Sequence, residues 1–118
     1  MLNLLLPLKI LNLKAFRTFG FGLRSHHMPI NFTVSVTNKC NARCKTCNIW
    51  RIYEEQPELS KSELSAEEFE RIFENIGRNA YWFTLSGGEP FLRKDIVRIY
   101  DALVRHCSPN IVNIPSNA

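Results

Sequence analysis

The chain has 118 residues, of which 45% are hydrophobic and 22% are charged, and its net charge is +4. This length and composition suit one small globular domain. The opening segment is apolar, but basic residues interrupt it, so no uncharged run approaches the roughly 18 residues that span a membrane. A signal peptide is not predicted, because the basic residues follow the apolar run instead of preceding it. We therefore expect a cytoplasmic protein with reduced thiols.

Residues 1–29 are predicted to form a basic, apolar N-terminal arm and linker. No Asp or Glu occurs before Glu54, whereas eight Lys and Arg residues do. Four residues recur at the spacing of a weakly amphipathic helix: Leu8, Leu11, Ala15 and Phe19. We favour a helix that packs on the end of the domain. The alternatives are a peripheral contact with an anionic membrane and a contact with nucleic acid.

The first predicted strand leads directly into a cysteine-rich segment. Apolar and polar residues alternate from residue 32 to residue 37, which is the period of a β-strand. A charged surface loop is expected around residues 54–57. A helix should follow, because Ser65 and Glu68 form a capping box before four apolar residues at helical spacing: Phe69, Ile72, Phe73 and Ile76. This stripe is predicted to face a sheet, with Gly77 or Asn79 ending the helix.

The alternation of strand and helix then repeats. Residues 81–85 form an apolar run that ends in a Gly-Gly-Glu turn, and a second helical stripe follows: Ile96, Ile99, Leu103 and Val104. A third run, residues 111–114, leads into Ser116 and Asn117. We predict an α/β core over residues 30–118, with about three parallel strands and two helices in right-handed crossovers. Parallel strands end on the same side, so the three loops that follow them should share one rim.

Three cysteines, Cys40, Cys44 and Cys47, follow the first strand. Cys44 and Cys47 are one helical turn apart and Cys40 reaches in from the preceding loop, so their thiolates can meet at one centre. Thiolates suit iron-sulfur clusters and zinc, but a structural zinc site needs a fourth nearby ligand. The remaining Cys107 is predicted to be a buried free thiol on the opposite rim. A four-iron cluster held by three thiolates would keep one iron open for chemistry.

The Cys40-x3-Cys44-x2-Cys47 spacing resembles the cluster loop of radical S-adenosylmethionine (radical SAM) enzymes, within the group of molybdenum-cofactor, quinone-cofactor and peptide-maturase enzymes. The resemblance implies that these cysteines hold a 4Fe-4S cluster whose fourth iron binds S-adenosylmethionine (SAM). Reductive cleavage of SAM would give a 5′-deoxyadenosyl radical that abstracts hydrogen from a substrate the sequence does not identify. It also implies the N-terminal half of a partial (β/α)6 TIM-like barrel, because about half of the strand-helix units fit in this length. We expect such a fragment to be inactive in isolation.

The Gly-Gly-Glu turn resembles a second motif of this family. The resemblance implies that Gly87, Gly88 and Glu89 position SAM, with the Glu89 carboxylate against the methionyl ammonium. Asn117 matches part of a Thr-Asn-Gly-like segment, which implies a contribution to the nucleoside site. Thr46 departs from the family pattern, in which the residue before the last cysteine is commonly aromatic and helps to place adenine.

Four basic residues surround the thiols: Lys39, Arg43, Lys45 and Arg51. They suggest a docking surface for an acidic electron donor, either reduced ferredoxin or reduced flavodoxin. The rival interpretation is a small interaction module whose fold is stabilised by zinc or an inert cluster and whose basic arm binds nucleic acid. We prefer the enzyme, for which no nucleic-acid partner is expected.

Overall fold

The computed structural model describes residues 29–117 and six positions of the preceding arm, namely 7, 8, 10, 11, 14 and 15. These six positions are helical, and the side chains of Leu8 and Leu11 are largely exposed. The rest of the predicted arm helix, including Phe19, lies outside the described residues. Among the helices in the described part of the chain, none combines the length and the hydrophobicity needed to cross a bilayer.

Three parallel strands form one sheet in the order β1 (Asn31–Thr37), β2 (Trp82–Gly87) and β3 (Ile111–Asn113). A short helix, α1 (Ile52–Glu55), and a longer one, α2 (Ala66–Ile76), connect β1 to β2. Helix α3 (Ile96–Cys107) connects β2 to β3. The predicted α/β fold with parallel strands is therefore confirmed.

The segment between β1 and α2 differs from the predicted surface loop. It contains the 3-10 turn Ile49–Arg51, then α1, then the 3-10 helix Pro57–Ser62. None of the residues in these helical turns is buried. Each of these turns has at most six residues, which is too short for hydrophobic periodicity to identify.

Helix α2 begins at the predicted capping box. The Ser65 hydroxyl accepts the N–H of Glu68 (3.3 Å), and the Glu68 carboxylate accepts the N–H of Ser65 (2.8 Å). Gly77, with φ at 58°, follows the last helical residue, as predicted. Of the predicted stripe, Phe69 and Phe73 are buried, whereas Ile72 is 38% exposed because it lies at the edge of the apolar face.

The core lies between the sheet and the two longer helices. The Phe83 ring on β2 stacks on Phe32 of β1 (centroids 5.3 Å apart) and meets Phe73 of α2 edge-on (6.0 Å). From α3, three residues of the predicted stripe are buried, but Val104 is 39% exposed. Like Ile72 on α2, it lies at the margin of the buried face.

Cys107 ends α3 as a buried residue, which confirms the prediction made for it. Its thiol donates a hydrogen bond to the carbonyl of Phe73 (3.3 Å). Burial raises the pKa of the Cys107 thiol to about 11. A neutral thiol packed in the core is a structural residue and a poor metal ligand.

The strand register brings the loop ends together. Thr37, the last residue of β1, lies beside Gly87 of β2, after an irregularity in the ladder between Ser35 and Thr37. Asn113 of β3 lies beside Thr84, so the residues after β3 continue alongside the end of β2. The cysteine loop, the Gly-Gly-Glu turn and the segment after β3 therefore leave the sheet at one edge.

Candidate functional site

A cavity of about 230 Å³ lies where the three strands end. Loops after all three strands line it, so the predicted site residues are brought together. Its lining includes the three loop cysteines, the Gly-Gly-Glu turn, the segment after β3 and two apolar side chains of the first loop: Cys40, Cys44, Cys47, Gly87, Gly88, Glu89, Pro115, Ser116, Asn117, Ala42 and Ile49.

The three cysteines carry free thiols, with Cys40 half-buried and Cys44 and Cys47 exposed. The N–H of Cys47 donates to the carbonyl of Cys44 (3.3 Å), which makes an isolated turn where the sequence suggested a helical one. Within the described ranges, no three His, Cys, Asp or Glu side chains are grouped as a single metal ion requires. A 4Fe-4S cluster takes each cysteine on a different iron, so three soft donors around one cavity match what such a cluster needs.

Gly87 and Gly88 allow the second loop to lie directly on the cysteine loop. The N–H of Gly88 donates to the carbonyl of Thr37, and the N–H of Glu89 donates to the carbonyl of Lys39, both over 2.8 Å. A Cβ on Gly87 would come 2.1 Å from the Thr37 oxygen, and one on Gly88 would come 2.3 Å from the Lys39 oxygen. Gly87 also has φ at +134°, which favours glycine. The sequence suggested a sharp turn or a nearby ligand, and the structure adds the backbone of the cysteine loop as the close neighbour.

Replacing Gly88 with alanine should therefore weaken both backbone hydrogen bonds between the two loops. At about 1 kcal/mol for each bond, we expect a loss of about 2 kcal/mol in the free energy of unfolding and a lower iron content after reconstitution. Denaturant unfolding and iron analysis measure the two effects. The matched control is Gly77→Ala, which strains a positive φ at the end of α2. It should lower stability but leave the iron content of the folded chain unchanged.

Glu89 is buried, with 3% of its surface exposed. Its Oε2 accepts the N–H of Asn117 (2.8 Å), and its Oε1 accepts the N–H of Phe91 and the hydroxyl of Ser116, each at 3.0 Å. The hydrogen bond from Asn117 contributes most to lowering the Glu89 pKa below its ordinary value, against the opposing effect of burial. The carboxylate therefore stabilises the fold above the ordinary glutamate pKa, and this contribution is lost as the pH falls through the lowered value.

These contacts fasten the segment after β3 to the Gly-Gly-Glu turn. An ionised carboxylate offers about four acceptor sites, and the described residues fill three of them at Glu89. Asn117 also faces the cysteine loop, since its Nδ2 lies 3.7 Å from the Cys40 sulfur. Thr46 is exposed.

The basic residues around the thiols are all exposed. Arg43 pairs with Glu54 over 2.7 Å. The ring of Trp50 lies near two guanidinium groups, 5.3 Å from that of Arg43 and 4.9 Å from that of Arg51. The charge of Arg43 is thus partly compensated, so Lys39, Lys45 and Arg51 carry the larger part of the positive charge that the described residues place around the thiols.

Glu63 supports the start of the cysteine loop, and no sequence pattern indicates this role. Its Oε1 accepts the hydroxyls of Thr37 and Tyr53, both at 2.5 Å, and the N–H of Asn38 at 3.2 Å. Partial burial acts to raise the Glu63 pKa, but these hydrogen bonds outweigh it and lower the pKa below the ordinary value. A single glutamate in a charged surface stretch is unremarkable in sequence, and only the fold brings these donors to it.

Arg93 is a second residue that sequence reasoning missed. Its guanidinium donates to the carbonyls of Val36 and Leu64, each over 2.6 Å, and to Asp95 over 2.7 Å. The side chain is 9% exposed and lies 5.2 Å from the centre of the Phe69 ring. Arg93 thus ties the end of β1 to the start of α2, next to the cysteine loop.

The parallel sheet, the three thiols and the Gly-Gly-Glu turn lie together at one edge, in the arrangement that the resemblance to radical SAM enzymes implies. Residues 34–115 match the radical SAM superfamily, and the chain belongs to that superfamily. The resemblance seen in the cysteine spacing is therefore confirmed. Enzymes of this family use a 4Fe-4S cluster and SAM, together with a reductant and a substrate.

Among individual relatives, the chain is similar to several GTP 3′,8-cyclases. It is 35% identical over 85 residues to the probable GTP 3′,8-cyclase of Thermococcus kodakarensis, a match that covers 71% of this chain and 25% of that protein. It is 36% identical over 91 residues to the GTP 3′,8-cyclase of Caulobacter vibrioides, covering 75% and 24%. The chain thus spans about a quarter of the length of these relatives. No solved structure matches it significantly.

Proposed function

We propose that this chain is the cluster-binding part of a radical SAM enzyme, with Cys40, Cys44 and Cys47 each binding one iron of a 4Fe-4S cluster. The observation that carries the proposal is the single cavity that these thiols share with the Gly-Gly-Glu turn. Soft thiolate donors suit iron-sulfur clusters. With three protein ligands, the fourth iron remains available to SAM.

Gly87, Gly88, Glu89 and Asn117 are the proposed SAM-positioning residues. Glu89 is suited to this role because its carboxylate stays ionised, and an ionised carboxylate pairs with an ammonium group. When bound, the cluster and SAM would supply a 5′-deoxyadenosyl radical that abstracts hydrogen from the substrate. The chain's own residues bind and orient these groups. Ala42 and Ile49 give the cavity part of its apolar lining.

The names of the relatives supply a first candidate substrate, GTP. For the electron donor we retain reduced ferredoxin or flavodoxin, because Lys39, Lys45 and Arg51 present positive charge on the cysteine loop. We further propose that residues 30–118 form the core and residues 1–29 a separate arm. A reducing cytoplasm suits the unpaired cysteines.

Anaerobic reconstitution of the full-length protein, meaning the whole enzyme of which this chain is the proposed cluster-binding part, tests this function. We expect about four iron and about four sulfide per chain, as a 4Fe-4S cluster requires. Addition of dithionite and SAM should then release 5′-deoxyadenosine, and a further product should appear when GTP is the substrate. Zinc as the bound metal, without SAM cleavage, would contradict the proposal and support the metal-stabilised interaction module.

A further inference from the structure

Asn117 connects the buried carboxylate of the site to one of the cluster cysteines. Its side-chain Nδ2 donates a hydrogen bond to the Cys40 sulfur (3.7 Å), and its backbone N–H donates to Glu89 Oε2 (2.8 Å). Asn117 follows β3, whereas Cys40 follows β1. The contact therefore joins two loops that are 77 residues apart in the chain.

The position of Asn117 is set by contacts that do not involve its own side chain. Glu89 accepts the backbone N–H of Asn117 on one oxygen and the hydroxyl of Ser116 on the other. Glu89 is in turn buried and held by the N–H of Phe91. Truncating the Asn117 side chain would thus remove the donor to Cys40 while leaving the backbone anchor in place.

We propose that Asn117 tunes the reduction potential of the cluster through its hydrogen bond to Cys40, an inference that rests on the proposed function. A thiolate ligand carries negative charge, and one-electron reduction adds more to the cluster. An amide N–H at the sulfur stabilises that charge, and hydrogen bonds to ligand sulfurs are among the factors that set cluster potentials. Asn117 therefore favours the reduced cluster and raises its potential.

The test is a redox titration of the anaerobically reconstituted full-length protein, with dithionite as the electron donor and electron paramagnetic resonance as the readout. Asn117→Ala should lower the potential by about 59 mV, which corresponds to a tenfold change in the reduction equilibrium of a one-electron couple. Asn117→Asp keeps the size of the side chain but places a negative charge near the sulfur. It should lower the potential further, because that charge opposes the added electron.

The matched control is Asn113→Ala, which makes the same chemical change at an exposed position of β3. It should leave the potential unchanged. An unchanged potential in both Asn117 variants, with iron and sulfide still at about four per chain, would overturn this inference and leave the proposed function intact. Failure of the unaltered protein to assemble any cluster would instead overturn the proposed function and this inference with it.

Discussion

Replacing Cys44 with alanine should abolish assembly of the cluster. We expect iron to fall from about four per chain to a small fraction of that, because two thiolates cannot replace the three that a site-differentiated cluster uses. The brown absorption of the reconstituted protein and its release of 5′-deoxyadenosine should be lost together. Iron and sulfide analysis after anaerobic reconstitution measures the effect, and Cys40→Ala and Cys47→Ala should give the same result.

Cys107→Ser is the matched control, because Cys107 is the remaining cysteine and lies in the core. A serine hydroxyl can take over the hydrogen bond that the Cys107 thiol donates to Phe73. This variant should therefore fold and bind iron like the unaltered protein. If Cys44→Ala retained full iron, or if Cys107→Ser lost it, the assignment of the three loop cysteines would be wrong.

Arg93→Ala should produce the largest loss of stability among single side-chain truncations outside the hydrophobic core. The change removes hydrogen bonds to the carbonyls of Val36 and Leu64 and leaves Asp95 without its ionic partner. The Arg93 side chain is largely buried, and losing its charge-assisted hydrogen bonds to two carbonyls costs about 3 kcal/mol. Denaturant unfolding measures the loss, and iron incorporation should also fall because Val36 lies just before the cysteine loop.

Arg98→Ala is the control for the Arg93 variant. Arg98 pairs with Glu67 over 2.5 Å, but both side chains are more than half exposed, and solvent screens such pairs strongly. This variant should unfold at nearly the same denaturant concentration as the unaltered protein. Equal effects of the two substitutions would show that the contacts of Arg93 do not hold the end of β1.

The elements that the sequence predicted well are those with local signals. The capping box at Ser65 fixed the start of α2 because both of its hydrogen bonds join residues three positions apart. The strands and the two longer helices followed from apolar periodicity, and parallel pairing followed from their alternation. The edges of each helical face were less well predicted. Ile72 and Val104 are partly exposed because their burial depends on how far each neighbouring element extends.

The sequence alone determined which side chains we propose for the site: three thiols at a characteristic spacing, a Gly-Gly-Glu turn and an asparagine after the third strand. These features lie in short stretches, so residue type and spacing were sufficient to propose them. The tertiary structure decided what supports them. Glu63 and Arg93 brace the start of the cysteine loop, Gly87 and Gly88 lie against its backbone, and Glu89 anchors Asn117. Each of these contacts joins residues far apart in the chain, and only folding brings such residues within hydrogen-bond distance.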